Sequence, residues 1–168
     1  MSTRRRTRGS DVVAPRGICR WCKKPVEKPR ISWCGDACVH EHRLRTNPAY
    51  LRARVLERDA GVCVVCGRDC AALDAELRAL RHAPEAWRRG SAAHAVYAAR
   101  VLALNAEGFS LTVSTDKSVY STWQADHIVP VVEGGGECGM ENMRTLCSPC
   151  HGRATKTLMG RLMQRRAS

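Results

Sequence analysis

The sequence predicts an α+β fold: a small zinc-stabilised strand, loop, strand, helix module with a helical insertion, preceded by a zinc finger. Eight of the ten cysteines fall into four close pairs, Cys19/Cys22, Cys34/Cys38, Cys63/Cys66 and Cys147/Cys150, the layout of two four-thiolate zinc sites. Between Cys66 and Cys147, two stretches rich in Ala, Leu, Arg and Glu run with few helix breakers. Beyond them, two short apolar-rich segments flank a loop containing Gly134, Gly135 and Gly136 and lead into another helical pattern.

Residues 1–16 combine Arg4, Arg5, Arg6 and Arg8 with Ser, Gly and Pro and lack hydrophobic periodicity, the composition of a disordered basic arm. Residues 17–45 follow as the finger: C-x2-C, eleven residues rich in Lys and Pro, then C-x3-C. Such a pattern folds around zinc with almost no core of its own. Cys19, Cys22, Cys34 and Cys38 are its simplest ligand set, and His42, one helical turn after Cys38, is the alternative ligand. The second domain spans 46–160. Asn47-Pro48 supplies a helix cap and a first-position proline, Tyr50, Leu51, Val55 and Leu56 recur at helical spacing, and Gly61 stops the run. Cys63-Val-Val-Cys66-Gly67 is a thiolate knuckle whose partners lie far downstream, so residues from about 68 to 108 form an insertion framed by zinc ligands. Helices are expected over 71–81 and 84–106, with Trp87 and His94 as packing or surface residues, and a hairpin over 109–113 and 119–123. Residues 124–131 have strand character, 143–146 read as the returning strand, and Ser148-Pro149 opens a helix to about Gly160, leaving 161–168 as a basic tail.

Cys70 and Cys138 are left over. Cys70 could replace Cys66 in the second cluster or pack as a small buried residue, and Cys138 reads as a free thiol. The chain begins Met-Ser-Thr-Arg-Arg-Arg, with no apolar segment fit for a secretion signal. Reduced thiols and an intracellular location are therefore expected, cytoplasmic at the nucleoid if the source is bacterial or phage. No run of apolar residues is long enough to span a membrane. Only 5% of residues are aromatic, so a thin core is expected. The formal net charge of +12 is lopsided: residues 1–58 hold fifteen Lys/Arg against five Asp/Glu, whereas 59–125 hold seven of each. The first third reads as a phosphate-facing surface, Arg45, Arg52 and Arg54 included, and nucleic acid is the expected partner.

The residues able to do chemistry crowd into the last third. Asp126-His127 stands on an expected strand, Asn142 beyond the glycine-rich loop, and Cys147-x-x-Cys150-His151 at the start of the last helix. Neighbouring helix residues point about 100° apart, so Cys150 can turn to zinc while His151 faces the strands. Cys63, Cys66, Cys147 and Cys150 already complete a tetrahedral site, which leaves His151 for a different metal. These residues, D-H-x14-N-x8-H with a C-x2-C pair on either side, resemble the HNH endonuclease family, whose site is a ββα-metal fold. The resemblance covers residues 46–160. The wording Trp123-Gln-Ala-Asp-His-Ile-Val-Pro-Val and Thr145-Leu-Cys-Ser-Pro-Cys-His is similar to a branch that includes bacterial stand-alone nucleases and the nuclease domain of a eukaryotic fork-remodelling translocase.

The resemblance implies that His127 is a general base, that Asp126 and His151 hold a catalytic divalent cation, and that Asn142 fixes the loop so that the imidazole stays aimed at water. An ordinary imidazole titrates near pH ~6.5 and can take a proton from water at cellular pH. Magnesium is the first expectation and manganese the substitute, although the imidazole ligand also tolerates nickel or zinc. Two structural Zn2+ complete the expected metals. Some family members carry a further histidine four residues after the last one; Thr155 stands there, which argues against a three-imidazole site. Arg153 and Lys156 on the same helix either steady phosphates or form an exposed basic face. The implied activity is hydrolysis of DNA phosphodiester bonds to 3′-hydroxyl and 5′-phosphate ends, duplex DNA being the first expected substrate and RNA the second. A catalytically silent zinc module that binds nucleic acid or protein is the alternative, and a redox protein is disfavoured because each cysteine quartet suits a metal better. The sequence contains no G-x4-G-K-[ST] loop, so no nucleotide cofactor is expected, and no motif addresses the oligomeric state.

Overall fold

The computed structural model describes residues 15–113, 121–136 and 139–167. Most of the expected basic arm, the turn expected near 114–118 and Cys138 lie outside the described residues. The chain divides into two compact units, one ending at Pro48 and the other beginning at Ala49.

In the first unit, a turn around Cys19-x-x-Cys22 is closed by Cys19 N–H donating to Lys24 O at 2.9 Å and Lys23 N–H to Cys19 O at 3.0 Å. Lys23 takes φ of 61° to complete it. Helix α1 (Asp36–Thr46) then carries Cys38 back toward Cys34. Among the described residues of this unit only Cys19 and Leu44 are buried apolar residues, so little besides the thiolate cluster holds it. His42 is not part of that cluster: its ring packs edge-on against Trp33 with centroids 4.8 Å apart, and its Nδ1 meets Thr46 Oγ1 at 3.2 Å.

Helix α2 (Pro48–Arg58), which belongs to the second unit from Ala49 onward, buries Leu51 and Val55. Gly61 follows at φ +71°, where a Cβ would come within 2.5 Å of Ala71 Cβ; both facts require glycine. The insertion folds as α3 (Cys70–His82) and α4 (Ala92–Ala106). Asp69 caps α3 by accepting from Ala72 N–H at 2.8 Å, and Ser91 caps α4 by accepting from His94 N–H at 3.1 Å. The second helix therefore starts at Ala92 rather than at 84, because Pro84 and the Ser91 cap confine residues 83–91 to turns. Leu73, Leu77, Tyr97, Val101 and Leu104 from these helices pack with Cys63, Phe109, Trp123, Leu146, Cys147 and Cys150 into one core. The insertion thus supplies much of the core against which the cysteine quartet and the strands rest. Cys70 is fully buried in it and packs there, while Cys66 and not Cys70 stands with Cys63, Cys147 and Cys150 in the quartet. Trp87 lies at the surface.

Strands β1 (Trp123–His127) and β2 (Met143–Cys147) pair antiparallel, with Trp123 opposite Cys147 and His127 opposite Met143. Helix α5 (Ser148–Ala167) completes the β, β, α order. Three expectations need correction. Residues 109–113 form no strand: the Asn105 side chain pairs with Leu111, accepting from its N–H and donating to its C=O at 2.8 Å each, while Phe109 and Leu111 enter the core. The first strand ends at His127, because residues 131–133 turn into a 3-10 helix. Helix α5 runs on through Gly160 to Ala167, so the basic tail is helical; Arg161 and Arg165, beyond that glycine, pair with Glu133.

Candidate active site

The site is built where β1 ends, β2 begins and α5 starts. The loop between the strands is closed by Asn142: its Oδ1 accepts from Val129 N–H at 2.8 Å, and its Nδ2 donates to Val129 O at 3.0 Å and Gly135 O at 2.6 Å. Ile128 N–H also donates to Asn142 O at 2.8 Å. A Cβ at position 135 would lie 1.8 Å from Val129 O, so only glycine lets the loop fold this tightly. Across the loop, Glu133 is gripped by Arg161, whose guanidinium holds its carboxyl below the usual range. The base of β2 is held from α2. Arg58 donates to Met143 O at 2.7 Å and to Met140 O, and Asp59 Oδ2 accepts from Thr145 N–H at 2.9 Å. Burial pushes the Asp59 carboxyl up, but the hydrogen bonds from Arg58 and Thr145 outweigh it and leave it low.

Asp126 and His151 meet here. Asp126 Oδ1 lies 3.7 Å from His151 Nε2, although one residue is on a strand and the other on a helix. Two ligands each roughly 2.1 Å from one cation can stand no more than about 4.2 Å apart, so this pair fits within one coordination shell. Asp126 and His127 both line a cavity of about 350 Å³, together with Arg144, Thr155, Leu158 and Arg161. His151 stands beside it, against Asp126. Arg144, directly across the sheet from Asp126, donates from Nε and Nη2 to Oδ2 at 3.1 and 2.9 Å.

The sulfur atoms of Cys63, Cys66, Cys147 and Cys150 lie within 4.8 Å of one another, as do those of Cys19, Cys22, Cys34 and Cys38. Tetrahedral zinc with Zn–S near 2.3 Å needs sulfurs roughly 3.8 Å apart, so each set could hold one ion. Helix α5 presents Cys150 to the thiolate set and His151 to Asp126, the division of labour that adjacent helix positions allow.

The basic residues fare differently. Arg52 faces inward: it donates to Gln124 Oε1 at 3.1 Å and Ser121 Oγ at 2.8 Å, and it stacks 4.2 Å over the Trp123 ring. Burial lowers its pKa, and these contacts brace β1. Arg45 pairs with Glu41 at 2.6 Å and stacks on Trp21, and Arg54 pairs with Glu57 at 2.6 Å; exposed pairs of this kind are weak and exchangeable. Arg153 Nη2 lies 2.9 Å from Cys150 Sγ, so it donates to the thiolate cluster, while Lys156 is exposed on α5. Sequence reasoning missed Arg58, Asp59, Glu133, Arg144 and Arg161. Their partners lie up to 86 positions away, and no local pattern marks them; alternation along the paired strands alone could have set Arg144 beside Asp126.

Comparison with known proteins identifies the family. Residues 114–157 match the family described as HNH endonuclease. The chain is 36% identical over 145 residues to the "DNA annealing helicase and endonuclease ZRANB3" of Mus musculus, covering 81% of this chain and 13% of that protein. It is 34% identical over 143 residues to the Homo sapiens protein of that name, covering 80% of this chain and 12% of the other. The chain therefore spans about one-eighth of the length of these relatives. A solved structure, the "Crystal structure of the human ZRANB3 HNH domain", is 32% identical, covers 73% of this chain and 98% of that one, and superposes with a TM-score of 0.44. With the Asp-His, Asn and His positions of its motif falling inside the matched segment, the chain belongs to the HNH endonuclease family.

Proposed function

We propose that this chain is a metal-dependent endonuclease that hydrolyses DNA phosphodiester bonds, with Asp126 and His151 holding its divalent cation beside His127. The observation that supports this best is the 3.7 Å approach of Asp126 Oδ1 to His151 Nε2 at a cavity that His127 also lines. One carboxylate and one imidazole leave coordination positions open, as a catalytic site requires and a structural one does not. Mg2+ is the proposed ion and Mn2+ its substitute, while the two thiolate sets are proposed to hold structural Zn2+. When bound, the divalent cation supplies Lewis-acid stabilisation of charge on the phosphodiester.

His127 takes the proton of the attacking water. Asn142 ties both sides of the loop together, which keeps the end of β1, and so the His127 ring, in one place. Hydrolysis in this sense leaves 3′-hydroxyl and 5′-phosphate ends. DNA is the proposed substrate on two grounds: the net charge of +12 suits a polyanion, and the relatives matched are each described as a DNA annealing helicase and endonuclease. Annealing and helicase activity belong to those longer proteins and are not carried over. Action in a reducing compartment is proposed as well, because two cysteine quartets arranged for metal work as reduced thiolates.

The test is cleavage of supercoiled plasmid by the zinc-loaded chain in Mg2+ or Mn2+, with His127→Ala as comparison. The variant is expected to keep its zinc content and DNA affinity and to lose cleavage. Undiminished cleavage would overturn the assigned base, and DNA retention without cleavage by the parent chain in either ion would favour a silent binding module.

A further inference from the structure

Arg144 has no role in the mechanism above, yet it governs the carboxylate on which that mechanism depends. An arginine that merely neutralises a carboxylate commonly spreads its fork over both oxygens. Arg161 does this with Glu133, donating from Nε to Oε1 at 3.1 Å and from Nη2 to Oε2 at 2.8 Å. Arg144 instead places both donors on Oδ2 of Asp126 and leaves Oδ1 facing His151. A second observation is independent of the first. Arg144 lines the same cavity as Asp126 and His127, and its side chain is 26% exposed. A guanidinium has five N–H donors in a plane, so a group whose Nε and Nη2 hold Asp126 still presents charge to the cavity.

We infer that Arg144 both positions Asp126 and contacts the substrate: one edge of its guanidinium fixes Oδ2 so that Oδ1 is offered to a cation, and the group binds a non-bridging oxygen of the scissile phosphodiester. The inference rests on the endonuclease reading above. Formal charge supports it. A phosphodiester carries one negative charge and its hydrolytic transition state two, whereas a divalent cation offset by Asp126 provides a single net positive charge. Arg144 supplies the second at the place where charge develops, and a fixed donor of that kind contributes most in a site shielded from water.

The experiment uses the zinc-loaded full chain and two variants, Arg144→Gln and Arg144→Lys. Mn2+ binding is measured without DNA by the loss of the free-ion electron paramagnetic resonance signal, and single-turnover plasmid cleavage is measured at saturating Mn2+. Arg144→Gln is expected to bind Mn2+ within a few-fold of the parent, because the lost hold on Oδ2 weakens binding while the loss of a neighbouring positive charge strengthens it. Its cleavage is expected to fall by about 100-fold and not to recover with more Mn2+. Arg144→Lys, which keeps the charge but not the fork, is expected to cleave at an intermediate rate. Parent-like cleavage by Arg144→Gln overturns the inference, as does a cleavage defect that extra Mn2+ repairs, which would reduce Arg144 to a holder of Asp126. If Arg144→Gln fails to fold, as judged by circular dichroism and zinc content, Arg144→Lys decides by the same two measurements. An Asp126→Ala chain that binds Mn2+ as the parent does would instead strike the underlying metal assignment, so the two failures are distinguishable.

Discussion

The two thiolate clusters use the same chemistry in opposite ways. Cys19, Cys22, Cys34 and Cys38 lie within twenty positions, and in their unit only Cys19 and Leu44 are buried apolar residues among those described. Cys63 and Cys66 instead join Cys147 and Cys150 across more than eighty positions, and Cys63, Cys147 and Cys150 belong to the main core. Chemically the sets agree. Burial pushes Cys19 and Cys63 up, yet backbone N–H groups of Cys34, Cys22 and Trp21 for Cys19, and of Cys147, Cys66 and Val65 for Cys63, bring both thiols down to about 6. The difference lies in what the cluster organises. The first folds a short segment that has almost nothing else to hold it; the second closes a long insertion and sets the first turn of α5 against the strands. That turn also carries His151, so the second cluster helps to fix the proposed catalytic geometry.

The largest effect is expected from Cys147→Ser. Structural zinc contributes on the order of 10 kcal/mol to folding, so the second unit should unfold and lose protection from proteolysis along with all cleavage. A stable, helical Cys147→Ser protein lacking that zinc would remove the distinction between the clusters. Cys34→Ser should abolish zinc binding in the first unit only, leaving the calorimetric transition of the second unit in place; a collapse of both would show that the units are not separable. Asn142→Ala asks how far the anchoring extends beyond the thiolates. It should reduce cleavage by about 10–100-fold, as loss of groups that orient metal ligands does, while the thermal midpoint moves by only a few degrees. The smallest change belongs to Arg153→Ala, which removes an N–H donor from Cys150 and should speed zinc loss to a chelator by about tenfold or less.

Much of the site was legible in the sequence because ligand chemistry demands particular residue types at particular spacings. The eight cysteines, Asp126-His127 and His151 stand out for that reason, and the structure brings each cysteine quartet, and Asp126 with His151, together. What was not legible depends on partners distant in the chain. Arg52 read as part of a basic face, but its guanidinium stacks on Trp123, 71 positions away. Gly160 read as a helix stop, yet ion pairs from Arg161 and Arg165 to Glu133 carry α5 past it. Residues 109–113 alternate like a strand, but Asn105 supplies the partner that a second strand would have offered. In each case a specific side-chain contact, which no local pattern marks, decided the outcome.

The central claim is that Asp126 and His151 share one divalent cation. Pulsed electron paramagnetic resonance of the zinc-loaded chain with one equivalent of Mn2+ tests it directly. A nitrogen coupling from a directly bound imidazole is expected, present in the parent and in His127→Ala and absent in His151→Ala. Persistence of that coupling in His151→Ala, or its absence from the parent, would contradict the claim.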